Sequence, residues 1–307
     1  MANTLRYNNT IPGNIYYGGA AVQNVYYNNT KVWSASRPFA FTYTGAYETE
    51  GNLEGNFVIR FKTSGTLTIT SHGNNTSGLY DLFAVGGGGK GGCSDDTSGR
   101  GFGGGGGGYT SIVKSKSITS ISIVIGAGSS SYGGEGGTTS FGQVLSANGG
   151  KSGVKSYNFN DNTRIFGCNG GSGGGAGTSS NLPYGSGGTD GGNGQPTGGW
   201  FPDSSGKGQG STTREFGEST GRLYAGGGGG GRPSSNLEIS PGGAGGGGNG
   251  GWFQDVAGME LNEKQPENGA VNTGGGGGGG LYRPAYSNRF IEGGDGGSGI
   301  ACMRNHR

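Results

Sequence analysis

Two copies of one short motif carry the most chemically suggestive residues of this chain: Gly198-Gly199-Trp200-Phe201-Pro202-Asp203 and Gly250-Gly251-Trp252-Phe253-Gln254-Asp255. An exposed aromatic ring can stack on a sugar ring, a neighbouring carboxylate can accept from its hydroxyls, and Trp and Tyr commonly anchor interfaces. Trp200, Phe201, Asp203, Trp252, Phe253 and Asp255 are therefore candidate receptor-contacting residues. The same rings have a second use open to them, closing the end of a core, because a chain poor in aliphatic residues must bury its aromatics. Two further non-glycine insertions, Val154 to Phe166 and Leu281 to Ile291, add Tyr157 and Tyr286 to the candidates. Binding function concentrates on loops held by a rigid scaffold.

The residues needed for catalysis are scarce. Only His72 and His306 are available, one in a turn-like Ser-His-Gly-Asn and one next to the last residue, so no triad base and no multi-histidine metal site is evident. Gly170-Gly171-Ser172-Gly173-Gly174 fits the nucleophile pattern G-x-S-x-G only by chance in so glycine-rich a chain, with no strand-to-helix context around it. Gly150-Lys151-Ser152 lacks the upstream glycine of a phosphate loop, that position being Leu145. Cys93, Cys168 and Cys302 are odd in number and far apart, which indicates neither a disulfide framework nor a zinc site. Acidic residues are scattered and single out no carboxylate pair. The sequence points to no catalytic residue, no cofactor and no metal.

The elements that must position these residues are unusual. Of 307 residues 81 are glycine, while only 29% are hydrophobic and 13% charged, a composition that borders on disorder. Against disorder stand 15 Tyr, 13 Phe and 3 Trp spread along the chain together with strand-like alternation. The net charge of +2 without any run of Lys or Arg argues against nucleic-acid and anionic-membrane partners. The first residues lack the basic start and apolar core of a signal peptide, and apolar stretches such as Leu82 to Val85 are far too short to span a bilayer. Synthesis in the cytoplasm without membrane insertion is expected.

Three regions are legible. Residues 1–36 contain an internal repeat, Asn14-Ile15-Tyr16-Tyr17-Gly18-Gly19 echoed by Asn24-Val25-Tyr26-Tyr27-Asn28-Asn29, each copy reading as a strand running into a Gly or Asn turn. This predicts a small β-meander ending at Val32-Trp33. It is too small to bury much apolar surface alone, so Tyr16, Tyr17, Tyr26, Tyr27 and Trp33 are candidate attachment residues. Residues 37–78 read as sheet strands or a connector, and 79–307 as a glycine-rich domain. Strands are predicted at 39–43, 56–62, 66–70, 78–85, 109–113, 120–125 and 138–145, with clear period-two alternation in Phe57-Val58-Ile59-Arg60-Phe61. The closing run Gly299 to Arg304 is expected to return to the strand at Leu79 to Val85, making everything between them an elaborated insertion.

Glycine runs lie between the strands at 86–89, 103–108, 226–231, 245–248 and 274–280. Without a Gly-X-Y period they are not collagen, and a lone polyproline-II-like run has no internal hydrogen bonds. Several runs side by side could bond laterally, and seven glycines would then span about 22 Å. The expected fold is all-β: an antiparallel β-sandwich with an inserted polyglycine-II helix bundle, preceded by the N-terminal β-meander.

The ordered series Asp81 to Gly89, Gly103 to Thr110, Gly136 to Gly142, Ser146 to Gly150, Thr212 to Glu218, Tyr224-Ala225-Gly226 and Gly296 to Ile300 resembles the glycine-rich domain of tail proteins encoded by phages and prophages of Gram-positive bacteria. The theme is shared with the tip adhesin of some T-even-type phages and the glycine-rich extracellular region of anaplastic lymphoma kinase, where polyglycine-II helices pack hexagonally. The resemblance implies a virion tail protein whose N-terminal module joins other tail or baseplate proteins. Its loops would bind a bacterial cell-surface receptor, a glycan or a protein. A purely structural tail, baseplate-connector or decoration role is the alternative. Both a homotrimer, as in many tail fibres, and a bundle completed within one chain are open.

Overall fold

The computed structural model describes residues 15–17, 20–27, 29–34, 37–94, 101–156, 166–178, 185–196, 203–233, 239–253, 263–283 and 289–305. The fold is all-β, with antiparallel sheets and, among the described residues, one three-residue 3-10 turn at Glu215–Gly217.

Two five-stranded antiparallel sheets form its centre. In spatial order, the first contains Thr110–Ser117, Leu79–Val85, Ile300–Asn305, Phe57–Phe61 and Tyr47–Gly51. The second contains Leu145–Ala147, Thr139–Phe141, Ser120–Val124, Gly65–Ser71 and Ala40–Tyr43. Alternation decides what faces inward: Phe57, Ile59 and Phe61, with Tyr80, Leu82, Ala301 and Met303, meet Leu67, Ile123 and Phe141 of the other sheet in one buried core. Phe39 joins that core at its edge, 4.6 Å from the ring of Phe57.

The closing strand pairs antiparallel with Leu79–Val85 from Ile300↔Val85 to Asn305↔Tyr80, and on its other side with Phe57–Phe61. Both faces of the first sheet are covered. Phe83, Val85, Ile300 and Cys302 pack against Phe216, Tyr224 and Ala225 on the outer side, which explains the nearly unbroken apolar run at 82–85.

Two sequence expectations change. The predicted strand at 138–145 is a hairpin, Thr139–Phe141 with Leu145–Ala147, because Gly142 takes a φ of +47° and turns the chain. The described N-terminal residues form two separate hairpins instead of a meander, Ile15–Tyr17 with Ala20–Val22 and Asn24–Tyr27 with Thr30–Ser34. Only Gln23 lies between them, which leaves no residues to reverse the chain, and each sequence repeat makes one hairpin. Residues 37–78, read as sheet strands or a connector, supply strands to both sheets.

The glycine runs leave the ends of the sheet strands and bond to one another. The run 226–231 shows the pattern: Gly226 and Gly229 donate to Gly245 and Gly248, Gly227 and Gly230 to Gly188 and Gly185, and Gly228 and Gly231 to Gly105 and Phe102. Residues three apart thus address the same neighbour, and each run meets three neighbours through its N–H groups alone. Gly104 to Gly108 repeat this, donating to Gly175, Gly277, Lys151, Ser172 and Gly274 in turn. The backbone polar groups of buried chain are paired without forming a sheet. A Cβ on Gly105 would sit 2.1 Å from the carbonyl oxygen of Gly89, so no other residue fits there.

Candidate functional site

The N-terminal hairpins join the sheets where Phe39 donates to the Leu53 carbonyl and the Arg37 N–H donates to Asn74 Oδ1. The Leu79–Val85 strand begins at this end, and its last residue leads into the run at Gly86. The glycine runs therefore extend from the opposite end of the sheets.

Beyond residue 94 seven internal stretches, 95–100, 157–165, 179–184, 197–202, 234–238, 254–262 and 284–288, lie outside the described residues. The residues flanking them come together at the far end of the glycine runs. Cys93–Ser94 pair in parallel with Lys155–Ser156, and Arg232–Pro233 pair in parallel with Trp252–Phe253, which pair in turn with Glu263–Lys264. Leu281–Arg283 pair with Arg289–Ile291, and Gly101 bridges to Leu281. Gly101 also donates to Thr178, Ala176 to Gln195 and Gly167 to Ser204, which brings in the remaining flanks. A scaffold bonded along its whole length thus gathers these chain ends on one face.

Phe253 is buried there with Leu281 and Ile291 in a small cluster of its own. Its ring is 7% exposed, the surroundings of the core use that the sequence left open to it. Trp252 is half-buried, and its indole N–H is buried without a hydrogen-bond partner. Lys264 pairs with Glu267 at 2.8 Å, and the lysine's hydrogen bond holds the Glu267 carboxyl below its ordinary value.

Asp203 is exposed and lines an open cavity of about 640 Å³ with Asn193, Gly194, Pro196, Ser205 and Lys207. Trp200, Phe201, Asp255, Tyr157 and Tyr286 lie outside the described residues. At the other end of the molecule Tyr16, Tyr17, Tyr26 and Tyr27 are all exposed, Tyr17 by 86%. Trp33 lies in the Thr30–Ser34 strand. Asn193, Ser205 and Lys207 went unnoticed in the sequence, where a polar residue in a glycine-rich stretch gives no sign of facing a cavity. The one available signal was the cluster of polar residues from Asp203 to Lys207, directly after the first Trp-Phe motif.

His72 Nδ1 lies 2.8 Å from the Tyr80 hydroxyl and the two rings stack. Burial pushes the Cys168 thiol up to about 12 and raises Cys302 well above the ordinary thiol range, so both are protonated at neutral pH. Among the described residues no three His, Cys, Asp or Glu side chains are grouped to hold a metal ion. Nor, among them, is any helix long and apolar enough to cross a membrane.

Paired antiparallel sheets from which glycine-rich segments run outward, bonded to each other through their backbones, define an all-β glycine-rich protein. The glycine-rich domain family matches residues 62–305, and the chain belongs to that family. None of the curated proteins matches the chain.

Proposed function

We propose that this chain is a phage or prophage tail protein that recognises a bacterial cell-surface receptor, a glycan or a protein, at the far end of its glycine-rich domain. The two sheets are read as a β-sandwich, and the glycine runs as polyglycine-II helices in a bundle. The three-residue period of the inter-run hydrogen bonds supports that reading, since this helix has three residues per turn and no internal bonds. Such a bundle is stiff because every lateral direction is bonded.

The observation that carries the proposal is polarity. The flanks of seven inserted stretches meet at one end, and the tyrosine-rich hairpins join at the other. A protein that is held by a particle at one pole and meets a cell at the other needs this arrangement. The hairpins, each too small to be stable alone, suit docking onto other tail or baseplate proteins. The reading assigns the protein to the virion and requires no catalysis, cofactor or nucleic acid.

Fluorescently tagged full-length protein and a fragment of residues 37–307 are to be incubated with a panel of Gram-positive bacteria. Strain-selective binding by both supports an adhesin whose receptor surface lies beyond residue 36. Folded protein that binds no strain, while residues 1–36 still direct incorporation into particles, would favour a purely structural tail role.

A further inference from the structure

The cavity beside Asp203 has the chemistry of a saccharide site. Its two walls are residues 193–196 and 203–207, and they are laced together: Gly194 donates to the Gly206 carbonyl at 3.0 Å and Gly208 donates to Asn193 Oδ1 at 3.0 Å. Lys207 is held from behind, its N–H donating to Asn169 Oδ1 at 2.7 Å. The backbone of these walls is therefore fixed, and the cavity's volume of about 640 Å³ lies inside the range of small-ligand sites, roughly 300–1,000 Å³.

Its lining decides what fits. Asn193 Oδ1 accepts from Gly208 and keeps a second lone pair, and its side-chain NH₂ donates. Asp203 only accepts, Lys207 only donates and Ser205 does both. Pro196 adds the apolar surface. Among the described lining residues one negative and one positive side chain give no net charge, so an anion would meet Asp203 and a cation would meet Lys207. A hydroxyl both donates and accepts, and a neutral ring bearing several hydroxyls can satisfy all four polar groups.

The geometry points to a neutral hexose or N-acetylhexosamine of a bacterial surface polysaccharide as the ligand of the Asn193–Asp203–Ser205–Lys207 cavity. This inference rests on the receptor-binding reading above and narrows it to a glycan at a specific place.

The test is an NMR titration of the full-length protein with methyl glycosides of neutral hexoses and N-acetylhexosamines, and in parallel with glucuronate and glycerol phosphate. Saturable shifts from a neutral sugar are expected at the backbone signals of 193–195 and 203–208. Asp203→Asn and Lys207→Met should each weaken that binding about tenfold or more, the effect of losing a charged hydrogen-bond partner. Val271→Ser, at an exposed and distant position, is the control. Response to the anions alone, lost in Lys207→Met and kept in Asp203→Asn, overturns the proposal in favour of an anion site. No saturable shift from any neutral sugar overturns it outright. In cell binding, an Asp203→Asn/Lys207→Met double variant that attaches as well as wild type overturns the cavity and leaves the adhesin reading intact. Sugar binding at the cavity by a wild-type protein that attaches to no cell supports the cavity and sinks the adhesin reading.

Discussion

Arg60 and Glu215, 155 positions apart, face each other as a two-point ion pair: Nε and Nη2 of the guanidinium lie 2.6 Å from the two carboxylate oxygens. The arginine stands on a central strand of the first sheet, and the glutamate on the segment that covers that sheet from outside. Burial alone would lower the arginine's pKa, but Glu215 and Glu50 outweigh it, so Arg60 stays charged. Beside this pair Arg304 bonds Asp81 and Glu218 and lies 4.3 Å over the ring of Phe216. Phe216 has a φ of +55°, an uncommon conformation for a large side chain, held here by the packing around it.

Both partners of the Arg60–Glu215 pair are nearly buried, at 5% and 8% side-chain exposure, so removing Glu215 leaves the buried guanidinium only the exposed Glu50 as a partner. Glu215→Leu is expected to cost about 3–5 kcal/mol in denaturant unfolding, and Arg60→Met/Glu215→Leu distinctly less than the single change. A double variant as unstable as the single one would show that the pair acts through shape alone.

The glycine runs make an equally sharp prediction. At Gly105 an added Cβ meets backbone carbonyls that cannot move without breaking bonds in the neighbouring runs. Gly105→Ala is expected to cost about 3 kcal/mol or more, at the upper end for overpacking. At Gly55 the nearest atoms are an ordinary 3.6 Å away, and Gly55→Ala should stay within about 0.5 kcal/mol of wild type. Thermal unfolding of the two variants side by side checks this. Equal melting points would mean that close lateral packing of the runs is not what holds them.

The sheets were legible where period and turn chemistry agree. Phe57 to Phe61 alternate between two faces and form the predicted strand, and the pairing of Ile300 with Val85 follows from two apolar runs at the ends of a glycine-rich insertion. Tyr47–Gly51 was missed because Tyr-Glu-Thr-Glu-Gly is an edge strand carrying charges, with Glu48 paired to Lys62 and Glu50 to Arg60. Arg60 itself sits at an outward position of an alternating strand, and nothing local says that a distant segment will cover it. Of the cavity, the sequence named Asp203 and not the other residues that line it. Glycine runs carry no periodic side-chain signal, so which run lies beside which, and hence that Asn193 and Lys207 line one cavity, cannot be read from them.

Asp190 connects the glycine runs to the covering segment. It accepts from the Thr212 hydroxyl, the Thr213 N–H and Arg214 Nε. Burial raises its pKa, but these bonds to the charged form together outweigh it, and the carboxyl ends below its ordinary value. A carboxyl lowered in the folded state contributes stability that is present above the unfolded pKa, near about 4, and lost as pH falls through the folded one. Wild type and Asp190→Asn should therefore differ most at neutral pH and converge in acid, measured as unfolding free energy from about pH 7 down to about pH 2. A gap that stays constant over that range would mean that the bonds seen here do not stabilise the charged form.

Phe253 and Trp252 are neighbours in one motif with different surroundings, and this separates stability from recognition. Phe253 is 7% exposed and packs on Leu281 and Ile291, so Phe253→Ala empties a small core and should cost about 3–5 kcal/mol. Any loss of cell binding by that variant should then follow the fraction unfolded. Trp252 is half-buried and its indole N–H lacks a partner, so truncating it removes an unsatisfied donor along with its packing. Trp252→Ala is expected to cost less than Phe253→Ala, about 1–2 kcal/mol, and to leave the protein folded at room temperature. If the folded Trp252→Ala variant also loses cell binding, the proposed recognition surface at the far end of the glycine runs is supported. If it binds as wild type does, the second Trp-Phe motif serves stability alone, and the proposed recognition falls to the wall that carries Asp203.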